Sequence, residues 1–162
     1  MKTCDIPQGF RFSGIASGIK KSGKLDLGLI CSDTPAACAG VFTLNQVVAA
    51  PVLVTKPRIA TGKCQAILVN SGNANACTGL SGITVAEEMG GLLAKQLRIS
   101  VDLVAVASTG VIGVPLPIGP LVGGIPKLVD QLDSEAALVA AESMMTTDCF
   151  SKLASAQVKV EG

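Results

Sequence analysis

Apolar and polar positions along this chain form short runs of β type in the first half, with helical periodicity entering between them further on. Residues 25–31 alternate around Asp26 and then turn wholly apolar. Residues 40–43 and 51–55 are brief runs of β type, and residues 65–70 (QAILVN) make a buried-strand candidate. The Ser71-Gly72-Asn73-Ala74-Asn75 stretch follows; Gly and Asn tolerate positive φ, so a tight loop is expected there. Thr84 and Glu87 fit a capping box, with Val85, Met89, Leu92, Leu93 and Leu97 on or near one helical face behind it. Gly90 and Gly91 each weaken that helix by roughly 1 kcal/mol relative to Ala, and they would allow a close crossing with a neighbour. Residues 103–107 predict a second buried strand running into Ser108-Thr109-Gly110. A helix is expected from about Ile118, kinked or broken at Pro126, and another from an Asp133 or Ser134 cap through Met145.

Residues 157–161 (QVKVE) alternate like a half-exposed strand whose hairpin partner is missing from the sequence. The expectation is a fragment, with a frayed natural end as the alternative. Strands interleaved with helices indicate an α/β or α+β domain, with mixed sheets packed by helices. No internal repeat, low-complexity tract or linker interrupts the 162 residues, which read as a single domain, 1–162.

Composition narrows the function more by absence than by presence. The 49% hydrophobic content against 15% charged excludes a disordered tail, and suggests a piece that packs against something else. With a net charge of +1 and no Lys/Arg block, neither nucleic acid nor a lipid surface is indicated. Lys20, Lys21 and Lys24 form the densest basic group and read as a solvated turn. No run of about 18 apolar residues suggests a membrane span. The opening Met-Lys-Thr-Cys-Asp lacks the apolar stretch of a secretory leader, so a cytoplasmic protein with reduced cysteines is expected. The six cysteines form no Cys-x-x-Cys pair, no metal is expected, and Cys77 is assigned to packing.

The chain has no His, which rules out a Ser-His-Asp or Cys-His centre built from its own residues. Glu87 and Glu88 are adjacent, so on a helix they point about 100° apart and do not share a target. Three segments could carry chemistry. Ser108-Thr109-Gly110 could converge N–H groups and a hydroxyl on an oxyanion, or be an ordinary strand-end turn. Residues 70–76 could bind a ligand through amides, or be a turn capped by Asn side chains. Thr146-Thr147-Asp148 could present hydroxyls to a polar ligand, or end a helix by local hydrogen bonds.

In order and spacing these segments resemble the ornithine acetyltransferase (glutamate N-acetyltransferase, ArgJ) family. The resemblance runs from near Gly9-Phe10-Arg11 to about Lys152. It rests on residues 40–43 (GVFT) with Asn45, residues 49–52 (AAPV), residues 70–79 (NSGNANACTG), residues 108–113 (STGVIG) with 115–117 (PLP), and residues 145–148 (MTTD). Five such segments in register are hard to obtain by chance.

The resemblance implies the first-subunit part of an N-terminal-nucleophile-like fold, cut from a precursor before a Thr that opens a second chain. That Thr, with its own α-amine as base, would take acetyl from N-acetylornithine and pass it to glutamate; bifunctional members also accept acetyl-CoA as substrate, and no cofactor is needed. It further implies that the Thr109 hydroxyl and the Gly110 N–H form the oxyanion hole, and that Thr146, beside Thr147, contacts substrate. The family's K-G-S-G-M segment and its Ala-Thr cleavage site come later than Gly162, so this chain is expected to be truncated before them and inactive alone. Partners implied are the second chain, in a heterotetramer of two copies of each, and small-molecule substrates. A domain that kept the fold without catalysis, or a related self-cleaving amidohydrolase, is the alternative.

Overall fold

A computed structural model describes residues 5–159. Its four-stranded mixed sheet has the order β1 (Phe10–Ile15), β2 (Leu27–Ala37), β3 (Lys63–Asn73), β4 (Val104–Val111). The first three strands are antiparallel to one another, while β4 runs parallel to β3. Helices α1 (Ala50–Ile59), α2 (Gly79–Leu97), α3 (Ile118–Asp130) and α4 (Ala137–Met144) complete the α/β arrangement.

Strand parity assigns the two faces. Leu27, Leu29, Ala66, Leu68, Val104 and Val106 point one way and share a core with Val54 of α1, Met89 and Leu93 of α2, and Leu121, Ile125 and Leu128 of α3. The opposite face carries Gly14 and Gly28, directly paired across β1 and β2, and there α4 lies against the sheet. A Cβ on Gly14 would stand 2.6 Å from the Val139 carbonyl oxygen, and one on Gly28 3.3 Å from that of Ala140. Only glycines admit the helix this closely. The same approach lets the Ser71 hydroxyl donate to the Ser143 carbonyl near the helix C-terminus.

β4 is an edge strand, and α1 satisfies its outer backbone groups. The Thr55 hydroxyl donates to the Val106 carbonyl (2.7 Å) and accepts from the Val106 N–H (2.9 Å), while the Arg58 Nη1 donates to the Val104 carbonyl (3.1 Å). Thr55 and Val106 are both buried, so Thr55→Val strands a donor and an acceptor away from water. An expected loss of about 1–3 kcal/mol is measurable by denaturant unfolding; a midpoint equal to that of the parent would refute this account of the edge.

Several expectations need correction. Residues 51–55 are not a strand but the start of α1, with Pro51 at a first-turn position where its missing N–H costs nothing. Residues 40–43 form no strand; Val41 within them and Leu44 just after are 99% and 100% exposed. The capping box at Thr84 does not exist, because α2 begins at Gly79 and the Thr84 hydroxyl donates to the Leu80 carbonyl inside the helix. The earlier start is secured from outside the helix: the Asn75 side-chain amide donates to the Gly82 carbonyl (2.8 Å).

Gly90 does admit a close neighbour, the Arg58 guanidinium, whereas Gly91 has none. α3 is neither ended nor broken by Pro126, since Leu121, Ile125 and Leu128 on one face hold it to the core through the lost hydrogen bond. α4 starts at Ala137, later than an Asp133 or Ser134 cap would place it. Residues 157–159 are irregular and not a strand, and the last part of that expected strand, residues 160 and 161, lies outside the described residues. No helix is long and apolar enough to cross a membrane among the described residues.

Candidate functional site

Two small residues at the carboxyl ends of β3 and β4 create the floor of the site. Gly72 and Gly110 face each other across the parallel pair, with φ of +97° and +135°. A Cβ on Gly110 would come within 2.4 Å of the Gly72 carbonyl carbon and 2.6 Å of the Asn73 nitrogen. The two backbones touch at a register shift after Gly72. Ser108, Thr109 and Gly110 belong to β4, which runs on past the expected strand at residues 103–107 and does not give way to a loop there.

Thr109 has the parity of Ser71 and so emerges on the face that α4 covers. The chain leaving α4 at Met145 turns into extended backbone (φ −66°, ψ 143°) and carries Thr146 and Thr147 past the same strand ends. Between these walls lies an open cavity of about 1200 Å³, whose lining includes Thr109, Gly110, Thr146, Thr147, Gly72 and Lys20. The three site residues expected from sequence, from elements 37 residues apart, thus border one cleft. Thr109 is half-buried and Thr146 exposed where they line the cleft. Asp148, also on the rim, is held below the usual carboxylate range by its hydrogen bond from Lys152.

The Asn-rich segment resolves in favour of structure. The Asn70 amide donates to the Asn73 carbonyl (2.9 Å) and its oxygen accepts from Ser108 (2.5 Å). Asn73 holds the Val114 carbonyl (3.0 Å) and accepts from the Asn75 N–H (2.8 Å). Asn75, at φ 45°, is fully buried and accepts from the Thr78 hydroxyl (3.0 Å). Every one of these amides is spent on the scaffold that ties β3 to β4 and to α2. Only Gly72 of this segment borders the cleft.

Lys20 is the cleft residue that sequence reasoning passed over. Lys21 and Lys24 are exposed as expected, but Lys20 is half-buried and its ammonium donates to the Leu25 carbonyl (2.7 Å) and the Met145 carbonyl (2.6 Å). Burial lowers its pKa from the ordinary lysine value, against the opposing pull of Asp26. Of the cysteines, Cys31 and Cys64 are buried, with thiol pKa values pushed up by desolvation. Cys77 is exposed at φ 57°, which overturns its assignment to packing, and Cys149 is exposed at the cleft. Cys4 lies outside the described residues.

The α/β fold that positions this cleft is shared with solved structures. The chain superimposes on ornithine acetyltransferase from Mycobacterium tuberculosis, crystallised with ornithine, with a TM-score of 0.86 and 43% identity, covering 88% of this chain and 78% of that one. The arginine biosynthesis bifunctional protein ArgJ of Bacillus halodurans gives 0.83 and 44%, covering 88% and 74%. In sequence the chain is 60% identical over 149 residues to the arginine biosynthesis bifunctional protein ArgJ of Syntrophotalea carbinolica, and 54% identical over 146 residues to that of Geobacter sulfurreducens. These alignments take in 92% and 90% of this chain but 38% and 37% of the relatives, so it spans under two-fifths of their length. The ArgJ family model matches residues 11–162, and the chain belongs to the ArgJ family.

Proposed function

We propose that this chain is the first-subunit portion, residues 1–162 as one domain, of a cytoplasmic acetyltransferase of arginine biosynthesis. In this reading it works with a second chain that opens on a nucleophilic Thr, two copies of each forming a heterotetramer. The α-amine of that Thr takes its hydroxyl proton as the oxygen attacks the acetyl carbonyl of N-acetylornithine. The carbonyl oxygen becomes an oxyanion, stabilised by the Thr109 hydroxyl and the Gly110 N–H. Collapse breaks the C–N bond, the proton passes to the departing ornithine amine, and an acetyl ester remains. The amine of glutamate then attacks the ester and gives up a proton to the α-amine base, which passes it to the departing Thr oxygen. Acetyl-CoA serves as an alternative donor in the bifunctional form, and no cofactor takes part.

The observation that carries this reading is the convergence of Thr109, Gly110 and Thr146 on one cleft, with the first two on the strand end and the last on the facing segment. Thr146 is assigned to substrate contact. Exposed apolar side chains beside the cleft, Val111, Ile112 and Val114, support a second polypeptide packing nearby.

Acetyl transfer from N-acetylornithine to glutamate, assayed with this chain alone and with the downstream chain added, tests the proposal. Activity is expected only in the mixture. Turnover by the isolated chain, or hydrolysis without transfer in the mixture, would overturn it.

A further inference from the structure

The Lys20 side chain touches both walls of the cleft. Its stem lies over Gly72, where an added Cβ would stand 2.9 Å from the Lys20 Cγ, and Gly72 backs directly onto Gly110. Its ammonium reaches the Met145 carbonyl, one residue before Thr146 and 125 residues along the chain. That carbonyl lies just past the end of α4, where the backbone has turned extended toward Thr146.

The backbone of Lys20 is anchored as well. Asp26 is fully buried, and its carboxylate accepts from the N–H groups of Ser17 (2.6 Å), Gly18 (3.1 Å) and Lys20 (2.8 Å), and from the Ser17 hydroxyl (2.8 Å). This wraps residues 17–20 around one immobile charge. The Leu25 carbonyl accepts a second hydrogen bond from the ammonium. A lysine merely solvated in a turn would need neither the buried carboxylate beneath it nor two carbonyl partners.

We propose that Lys20 is a positioning residue that fixes the Met145–Thr146 wall at its working distance from the Gly72–Gly110 wall. The inference rests on the reading of Thr146 as a substrate contact. Lys20 itself takes no proton in the reaction; it acts through the backbone of Met145.

The test uses the complete two-chain enzyme and steady-state acetyl transfer. Lys20→Met keeps the stem over Gly72 and removes both donors. Its KM for N-acetylornithine is expected to rise about tenfold, with kcat held within about threefold, because binding is lost and not the oxyanion donors. Lys20→Arg, which restores donors to carbonyls, is expected to recover most of the loss.

Thr146→Val is expected to raise KM by itself, and the double variant should be little worse than either single one, since residues acting through one contact are non-additive. A normal KM in Lys20→Met alongside a raised one in Thr146→Val overturns the positioning role, as does strict additivity in the double variant. A normal KM in Thr146→Val overturns instead the substrate reading on which it rests. Should Lys20→Met fail to assemble, Lys20→Gln retains one amide donor and carries the same test, with a smaller rise expected.

Discussion

Gly110→Ala is expected to remove nearly all acetyl transfer and to cost about 3 kcal/mol or more of stability. Two independent causes act at this position. A φ of +135° is reached freely by glycine and at a price in strain by any L residue. The new methyl group would also stand 2.4 Å from the Gly72 carbonyl carbon, 2.6 Å from the Asn73 nitrogen and 2.8 Å from the Gly72 oxygen. All three are backbone atoms of β3, so no side chain can swing aside to relieve the clash. The strand ends must separate instead, which withdraws the Gly110 N–H from the cleft along with its neighbour Thr109. Gly113→Ala is the control: it too has positive φ, +79°, but nothing lies within 4 Å of the added Cβ, so only conformational strain of about 1–2 kcal/mol is expected. Denaturant unfolding and acetyl-transfer rates on both variants check the pair. Parent-like stability and rate in Gly110→Ala would contradict the strand-end geometry.

Thr109→Ala separates chemistry from folding. The side chain is half-buried at the end of β4, and among the described residues its hydroxyl supports no other group. Its removal is therefore expected to change stability by less than about 1 kcal/mol. If the hydroxyl stabilises the oxyanion, kcat falls about 10²–10³-fold, the usual effect of deleting one such donor. Thr109→Ser, which keeps the oxygen, is expected to retain most of the rate. A parent-like kcat in Thr109→Ala, measured in the two-chain enzyme alongside its melting temperature, would dismiss the oxyanion role.

Strands β2, β3 and β4 were legible because burial leaves a trace in local order. The expected runs at residues 25–31, 65–70 and 103–107 overlap β2, β3 and β4, the first opening two residues before β2 and the last one residue before β4. The same signal failed at residues 51–55: a five-residue apolar run fits a strand or a helix turn equally, and Thr55 chose the helix by bonding to Val106. β1 carried too few apolar positions to stand out, and its identity as a strand comes from pairing with β2.

For the site, the segments holding Thr109, Gly110 and Thr146 could be singled out by residue type and family resemblance, since hydroxyls and glycine have few reasons to cluster after a strand. The separate roles of the neighbouring asparagines could not be read this way. Asn70, Asn73 and Asn75 have the same donors and acceptors as a binding loop, and only the positions of the Ser108 hydroxyl and the Val114 and Gly82 carbonyls show that these are already used.

The chain's own order of residues thus determined its α/β character, its family and the chemistry available to its cleft. These depend on composition, on periodicity and on short motifs, all properties of neighbours in sequence. Tertiary structure alone decided that Gly72 must yield space to Gly110, that paired glycines bring α4 onto the sheet, and that Lys20 reaches Met145 rather than water. Each of these is a contact between distant segments, whose energy depends on interatomic distance and burial, and neither quantity exists until the backbone has closed on itself.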